Sequence, residues 1–162
     1  MTSMGILTIS DRSSRGERED LSGPAIRDLV MARIAGATAE LQAIVPDEFD
    51  VIRDTLAQWS DEIGLDLILT TGGTGFALRD VTPEATREVI DREAAGLVEA
   101  MRAHSLQVTP HAMLSRAVAG LRGRTLIVNL PGSPKAAREN LSVILPALPH
   151  ALALLRGETP DG

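Results

Sequence analysis

The chain contains no cysteine. Disulfides, thiolate nucleophiles and cysteine-ligated metal sites are therefore excluded. Aromatic residues are almost as scarce: Phe49, Trp59 and Phe76 are the full set. The core must be aliphatic, and an apolar content of 44% supplies the material for it. No apolar run approaches the roughly 18 residues that span a bilayer. The start, Met1-Thr2-Ser3-Met4-Gly5, lacks the charged and long apolar regions of a secretory signal, so the expected location is cytoplasmic. There is no basic run, and the net charge is -6. That balance argues against duplex nucleic acid but not against a small anionic ligand, which needs only a local set of donors. His104, His111 and His150 share no metal-ligand spacing, and no Ser/His/Asp hydrolase motif is present.

What is present is an alternation of short branched runs and longer amphipathic ones. A length of 162 residues favours one domain, expected over 1–157, with a loose tail from Glu158 to Gly162. Met4–Ser10 reads as a buried strand and Asp11–Leu21 as a polar loop. Ser22 is the expected N-cap of a helix with Pro24 in its first turn and Ile26, Leu29, Val30 and Ile34 inward. Leu41–Val45 is a second strand. Pro46 stops it, and a helix follows with Ile52, Leu56, Trp59 and Ile63 inward, closed by Gly64. Asp66–Thr71 is nearly all apolar, as buried parallel strands are. Thr82-Pro83-Glu84 opens a long helical stretch reaching Met101, which Gly96 weakens or divides. Ala117–Leu121 and Thr125–Leu130 form two strands around a Gly120/Gly123 turn region. Ser133-Pro134 caps a last helix, broken or kinked at Pro146 and Pro149. This order predicts an α/β fold of three layers, αβα, with a mostly parallel sheet and helices on both faces.

Ligands of such sheets bind beyond the carboxyl ends of the strands. Four polar or glycine-rich segments follow strand ends: Ser10-Asp11-Arg12, Val45-Pro46-Asp47-Glu48, Thr71–Asp80 and Asn129–Lys135. In Thr71-Gly72-Gly73-Thr74-Gly75 the glycines let the backbone turn its N–H groups toward an anion. Glycines alone fit a tight strand-to-helix turn better. Arg79 and Asp80, with a helix start at Thr82-Pro83, change the balance by adding a cation, a carboxylate and an anion-favouring helix end. Asp80 fits either a loop-structuring carboxylate or a ligand of phosphate-bound Mg2+. Asp47 fits either a helix N-cap or a second such ligand. Lys135 sits in a first helical turn, where a cation opposes the helix dipole unless an anion is near. Ser115 and Arg116 offer another hydroxyl and cation.

With these residues in place, the chain resembles the molybdopterin adenylyltransferase family of the bacterial MogA type, whose domain also occurs in gephyrin. The resemblance is carried, in family order, by Thr8–Arg12, Asp20-Leu21-Ser22-Gly23-Pro24, Val45–Glu48, Thr71–Ala85, Met113-Leu114-Ser115-Arg116 and Asn129–Lys135. It implies Mg2+-dependent transfer of AMP from ATP to the terminal phosphate of molybdopterin, with release of pyrophosphate. It also implies a homotrimer and hand-over to a molybdenum insertase. Asp47 and Asp80 match the family's catalytic, metal-holding carboxylates. The substrate-binding residues it implies are Ser10, Asp11, Asp20, Ser22 and Gly23 near the first strand, and Thr71, Gly72, Gly73, Thr74, Gly75 and Arg79 in the glycine loop. Ser115, Arg116, Asn129, Pro131, Gly132, Ser133 and Lys135 complete them. The related MoaB-type proteins share the fold and the glycine loop but usually lack the Arg-Asp-Val-Thr-Pro pattern, which is intact here at Arg79–Pro83. A carrier or scaffold that binds the pterin without consuming ATP is the alternative function.

Overall fold

The computed structural model describes residues 1–158. Its centre is one six-stranded sheet in the order β2-β1-β3-β6-β5-β4. The strands are β1 (Thr2–Ile9), β2 (Ala37–Val45), β3 (Leu67–Thr71), β4 (Arg92–Glu93), β5 (Ala119–Arg122) and β6 (Thr125–Leu130). The neighbours β2-β1-β3-β6 are parallel, while β5 runs against both of its neighbours. Alternation along the strands separates two cores. Met4, Ile6, Leu67, Leu69 and Val128 face one side, toward α2 (Ser22–Arg33), α5 (Ala95–Leu106), α6 (Pro134–Ile144) and α7 (Leu148–Leu155). Leu7, Ile9, Ile68 and Ile127 face the other, toward α3 (Phe49–Gln58) and α4 (Thr82–Val89). The three-layer αβα expectation holds, with aliphatic cores on both faces.

Several local expectations do not hold, each for a physical reason. Asp11–Leu21 is not all loop, because Asp11–Ser14 forms a short helix, α1, whose N-cap Ser10 accepts from the Ser13 N–H at 3.1 Å. Ser22 is not an N-cap. The helix begins at Ser22, and it is Asp20 Oδ1 that accepts the Gly23 N–H at 3.0 Å. β2 starts four residues before the expected Leu41. Its sheet-edge pattern of half-buried and exposed residues is weaker than a core strand's. Ile63 is 47% exposed, because the chain widens into a π-type turn over Trp59–Ile63 that rotates it off the core stripe.

The long helix divides at Ile90, not at Gly96, which lies in the first turn of α5. The sheet edge competes for the backbone there. The Asp91 N–H donates to Leu121 O at 2.7 Å, the Ala94 N–H to Ala119 O at 2.8 Å, and Arg122 Nη1 caps α4 through Val89 O at 2.7 Å. Gly120 is a strand residue, and only Gly123 turns between β5 and β6. Leu145–Ala147 tightens into a 3-10 turn between α6 and α7, as the prolines require. Of the expected tail, Glu158 is anchored by its N–H to Ala153 O at 3.0 Å and its carboxylate to Arg156 at 2.9 Å. Residues 159–162 lie outside the described residues.

The topology places the site. From β1 the chain crosses first to β2 on one side and then to β3 on the other, so the order reverses between β1 and β3. Register pairs Ile9 with Val45, Thr8 with Thr71 and Thr71 with Leu130, so four parallel strands end together. The four segments singled out from sequence all leave this one edge.

Candidate active site

Gly72 and Gly73 carry φ values of 102° and 70°, in the left-handed region. A Cβ at Gly72 would run into the Ile9 carbonyl oxygen. One at Gly73 would run into Thr82 Oγ1 and stand 3.0 Å from Asp47 Oδ1. The loop is fastened to the start of α4, where Thr82 Oγ1 donates to Gly72 O at 2.9 Å and the Thr82 N–H to Gly73 O at 3.2 Å. The Gly72 N–H is not an open donor, since it is given to Leu130 O at 3.2 Å. The N–H groups of Gly73, Thr74 and Gly75 have no acceptor among the described residues. The anion cradle expected over Gly72–Gly75 therefore starts one residue later.

Two carboxylates and a joint surround this loop. The Asp11 N–H donates to Asp47 Oδ2 at 2.9 Å, and the Asp47 N–H donates to Asp11 Oδ1 at 3.0 Å. Arg79 closes on Asp11 with two bonds of 3.0 and 2.9 Å. That guanidinium is the leading cause holding the Asp11 carboxyl below its usual range. Asp47 is the opposite case. Burial pushes its carboxyl up, the Asp11 N–H opposes this, and the charges of Asp11 and Asp80 push it further. Asp47 is not a helix cap, because Glu48 occupies the N-cap of α3 and no side chain caps it. Asp80 Oδ2 accepts the Ala77 N–H at 3.0 Å.

Asp47 and Asp80 line one polar cleft of about 310 Å³ with Ser10, Gly72, Gly73, Gly132 and Ser133. A half-buried carboxylate, raised first by burial and further by the charges of Asp11 and Asp80, fits a divalent cation, which would relieve that repulsion. Among the described residues no cluster of three or more acidic or histidine side chains would hold a metal alone. Mg2+ commonly takes one or two carboxylates and completes its shell with substrate phosphates and water, so the pair fits that ion.

A second cleft of about 270 Å³ opens on the far side of the loop. Thr74, Gly75, Ser115 and Pro131 form its near wall, and Val98, Met101 and Ala117 give it an apolar floor. Ser105 and Asn140 stand in it as a polar pair, with Asn140 Nδ2 donating to Ser105 Oγ at 2.8 Å and to Ala136 O at 3.0 Å. Sequence reasoning missed Ser105, Asn140 and the nearby Arg102, which carry no local motif. It also missed Arg18, which lines the polar cleft and has no ion-pair partner among the described residues.

Thr71, Asp20, Ser22 and Ser133 line the polar cleft as expected and also act as joints within the fold. Thr71 Oγ1 donates to Pro131 O and Ser22 Oγ to Gly132 O, both at 2.6 Å, which locks the Pro131-Gly132 turn against β3 and α2. Asp20 Oδ2 accepts from Thr8 Oγ1 at 2.7 Å, and Gly23 has room for nothing larger beside that pair. Ser133 Oγ accepts the Ala136 N–H as the cap of α6. Lys135 is 77% exposed, lines neither cleft, and reaches only Glu139 at 3.9 Å. Arg79 is held on Asp11, and Arg116 also lines neither cleft.

Asn129 is fully buried. Its Nδ2 donates to Thr70 Oγ1 and Thr86 Oγ1, and its Oδ1 accepts the Val118 N–H, all at 3.0 Å. No ligand can reach it. Asn129→Ala strands the Val118 N–H and should cost about 2–3 kcal/mol in denaturant titration. Substrate affinity of the folded fraction should stay unchanged, and a loss of affinity without a loss of stability would restore Asn129 as a contact.

The family model described as "Probable molybdopterin binding domain" matches residues 5–150. The chain is 46% identical to the molybdopterin adenylyltransferase of Helicobacter pylori strain J99, over 95% of this chain and 88% of that one. It is 47% identical to gephyrin of Dictyostelium discoideum over 96% of its length but spans only 23% of that larger protein. A solved Thermus thermophilus structure, described as the molybdopterin biosynthesis enzyme MoaB, superposes with a TM-score of 0.90 at 55% identity, covering 99% of this chain and 100% of that one. A family match across most of the chain, relatives near half identical and a solved structure that superposes over nearly the full length place this chain in the molybdopterin-binding MogA/MoaB family.

Proposed function

We propose that this protein is a molybdopterin adenylyltransferase of molybdenum cofactor biosynthesis, transferring AMP from ATP to the terminal phosphate of molybdopterin. The observation that carries this reading is one loop serving as the shared wall of two unlike clefts. Gly72 and Gly73 border the polar cleft, and Thr74 and Gly75 border the apolar one. A polyphosphate suits the first and a flat heterocycle suits the second. Their reacting phosphates would then meet over the open N–H groups of Gly73, Thr74 and Gly75.

The chemistry asks for positioning more than for proton transfer. A phosphate monoester oxygen attacks the α-phosphorus, a new P–O–P bond forms, and the bond to the β-phosphate breaks with its electrons leaving on pyrophosphate. Bringing two polyanions together in line is the main barrier. Asp47 and Asp80 would hold Mg2+, which when bound offsets negative charge on the α- and β-phosphates. Gly73–Gly75 receive phosphate oxygens through backbone N–H groups, and Arg18 faces the same cleft with an unspent charge. Asp11 keeps Asp47 in place through paired bonds, and Arg79 keeps Asp11 in place. A homotrimer, hand-over of the product to a molybdenum insertase and a cytoplasmic location belong to this reading. No helix among the described residues is long and apolar enough to cross a membrane.

The test is incubation with molybdopterin, ATP and Mg2+, with detection of pyrophosphate and an adenylylated pterin. Both products are expected. The rival is a carrier that binds the pterin in the same clefts and does not consume ATP. Pterin binding without pyrophosphate at saturating ATP would establish that rival instead.

A further inference from the structure

Arg116 stands between the two clefts and opens into neither. Its guanidinium is spent on protein. Nε donates to Gly75 O at 2.8 Å, Nη2 to Asp80 O at 2.9 Å, and Nη1 to Glu84 Oε2 at 2.7 Å. Its backbone N–H donates to Thr74 O at 2.8 Å. These four bonds reach both ends of the segment from Thr74 to Asp80 and tie it to the first turn of α4.

Apolar packing adds little to hold that segment. Phe76 is 67% exposed and Leu78 is fully exposed, so no apolar side chain anchors the turn. Inside it, the Asp80 N–H donates to Ala77 O at 2.9 Å and the Ala77 N–H to Asp80 Oδ2 at 3.0 Å. Those bonds give the turn its shape but do not attach it to the sheet. The attachment comes from Thr82 beyond one end, from Arg116 at both ends, and from the exposed Arg79 side chain, whose two bonds of 3.0 and 2.9 Å reach Asp11. The planar fork matters, because three acceptors in different directions are reached from one rigid group.

We propose that Arg116 is a positioning residue for adenylyl transfer, fixing the Asp80 carboxylate of the polar cleft relative to the phosphate-receiving Thr74-Gly75 wall. This rests on the adenylyl-transfer reading. It replaces the expectation that Arg116 is itself a phosphate ligand. The two roles separate under lysine substitution. An ammonium serves a phosphate as a point charge, but it cannot span two carbonyls and a carboxylate.

The experiment compares wild type with Arg116→Lys and Arg116→Ala in two measurements. The first is amide hydrogen exchange in the free protein. Exchange over 75–80 should speed up at least about tenfold in Arg116→Lys, while β3 and β6 stay protected. The second is steady-state kinetics. Turnover should fall about 10²-fold, the cost of a misplacement near 1 Å, with the KM for molybdopterin little changed. If Arg116→Ala does not fold, Arg116→Lys is read alone. Unchanged exchange in Arg116→Lys overturns the proposal. So does faster loop exchange with turnover intact, and so does a raised KM with turnover retained, which is the phosphate-ligand result. Should wild type release no pyrophosphate, the adenylyl-transfer reading fails by itself, and the exchange measurement still tests whether Arg116 braces the loop.

Discussion

Asp80→Asn should lower AMP transfer about 10³-fold while leaving molybdopterin affinity within about threefold. The choice of asparagine follows from the geometry. Asp80 Oδ2 accepts the Ala77 N–H, which closes the turn that follows the glycine loop. Alanine would remove the charge and that acceptor together, so a loss of turnover would have two explanations. Asparagine keeps a carbonyl oxygen for Ala77 and removes only the charge. Asp80 lines the polar cleft and not the apolar one, so pterin affinity should hardly respond. Pyrophosphate release under saturating substrates and equilibrium binding of the pterin are the two measurements. Full turnover by Asp80→Asn would remove this carboxylate from the mechanism, whereas a parallel loss of pterin affinity would mean the loop itself had moved.

The site's location was legible in the sequence because it depends on topology, which short apolar strands and intervening helices encode directly. Once β1, β2, β3 and β6 run parallel, the segments after Ile9, Val45, Thr71 and Leu130 must share an edge. Residue roles were less legible. A polar side chain that touches a ligand and one that ties two loops together leave the same trace in a single sequence. Thr71, Ser22 and Asp20 sit in motif positions, yet they spend their polar atoms on neighbouring backbone or on Thr8. Asn129 begins the last motif but lies within β6 and points into the core, where Thr70 and Thr86 absorb it. The apolar cleft had no sequence signal at all. Ser105 and Asn140 lie 35 residues apart on two helices and meet only after α5 packs on α6. The division of α4 from α5 was hidden for a related reason. The bonds that end the helix come from β5, and a local pattern contains no record of a distant strand.

Asp47→Asn should move activity and stability in opposite directions. The Asp47 carboxyl is raised first by burial and then by the charges of Asp11 and Asp80, against the Asp11 N–H that favours its ionised form. A raised carboxyl means that the folded protein holds this proton more tightly than the unfolded chain does. Stability is then highest below the unfolded value and is lost as pH rises through the raised folded value. At neutral pH the ionised Asp47 is a standing cost of the fold. Asparagine removes that cost and still offers an oxygen to the Asp11 N–H, so with a chelator present its melting temperature should exceed wild type by about 2–4 °C at pH 7. The difference should vanish in acid, where wild-type Asp47 is itself neutral. Transfer of AMP should meanwhile fall about 10³-fold. Added Mg2+ should stabilise wild type and close the gap, because a bound cation offsets the repulsion that asparagine removes by substitution. A variant less stable than wild type at neutral pH would mean that Asp47 serves the fold as an acceptor and stores no repulsion. The expected result ties the two carboxylates to function, since a joint whose only task is stability would not keep a charge that works against it.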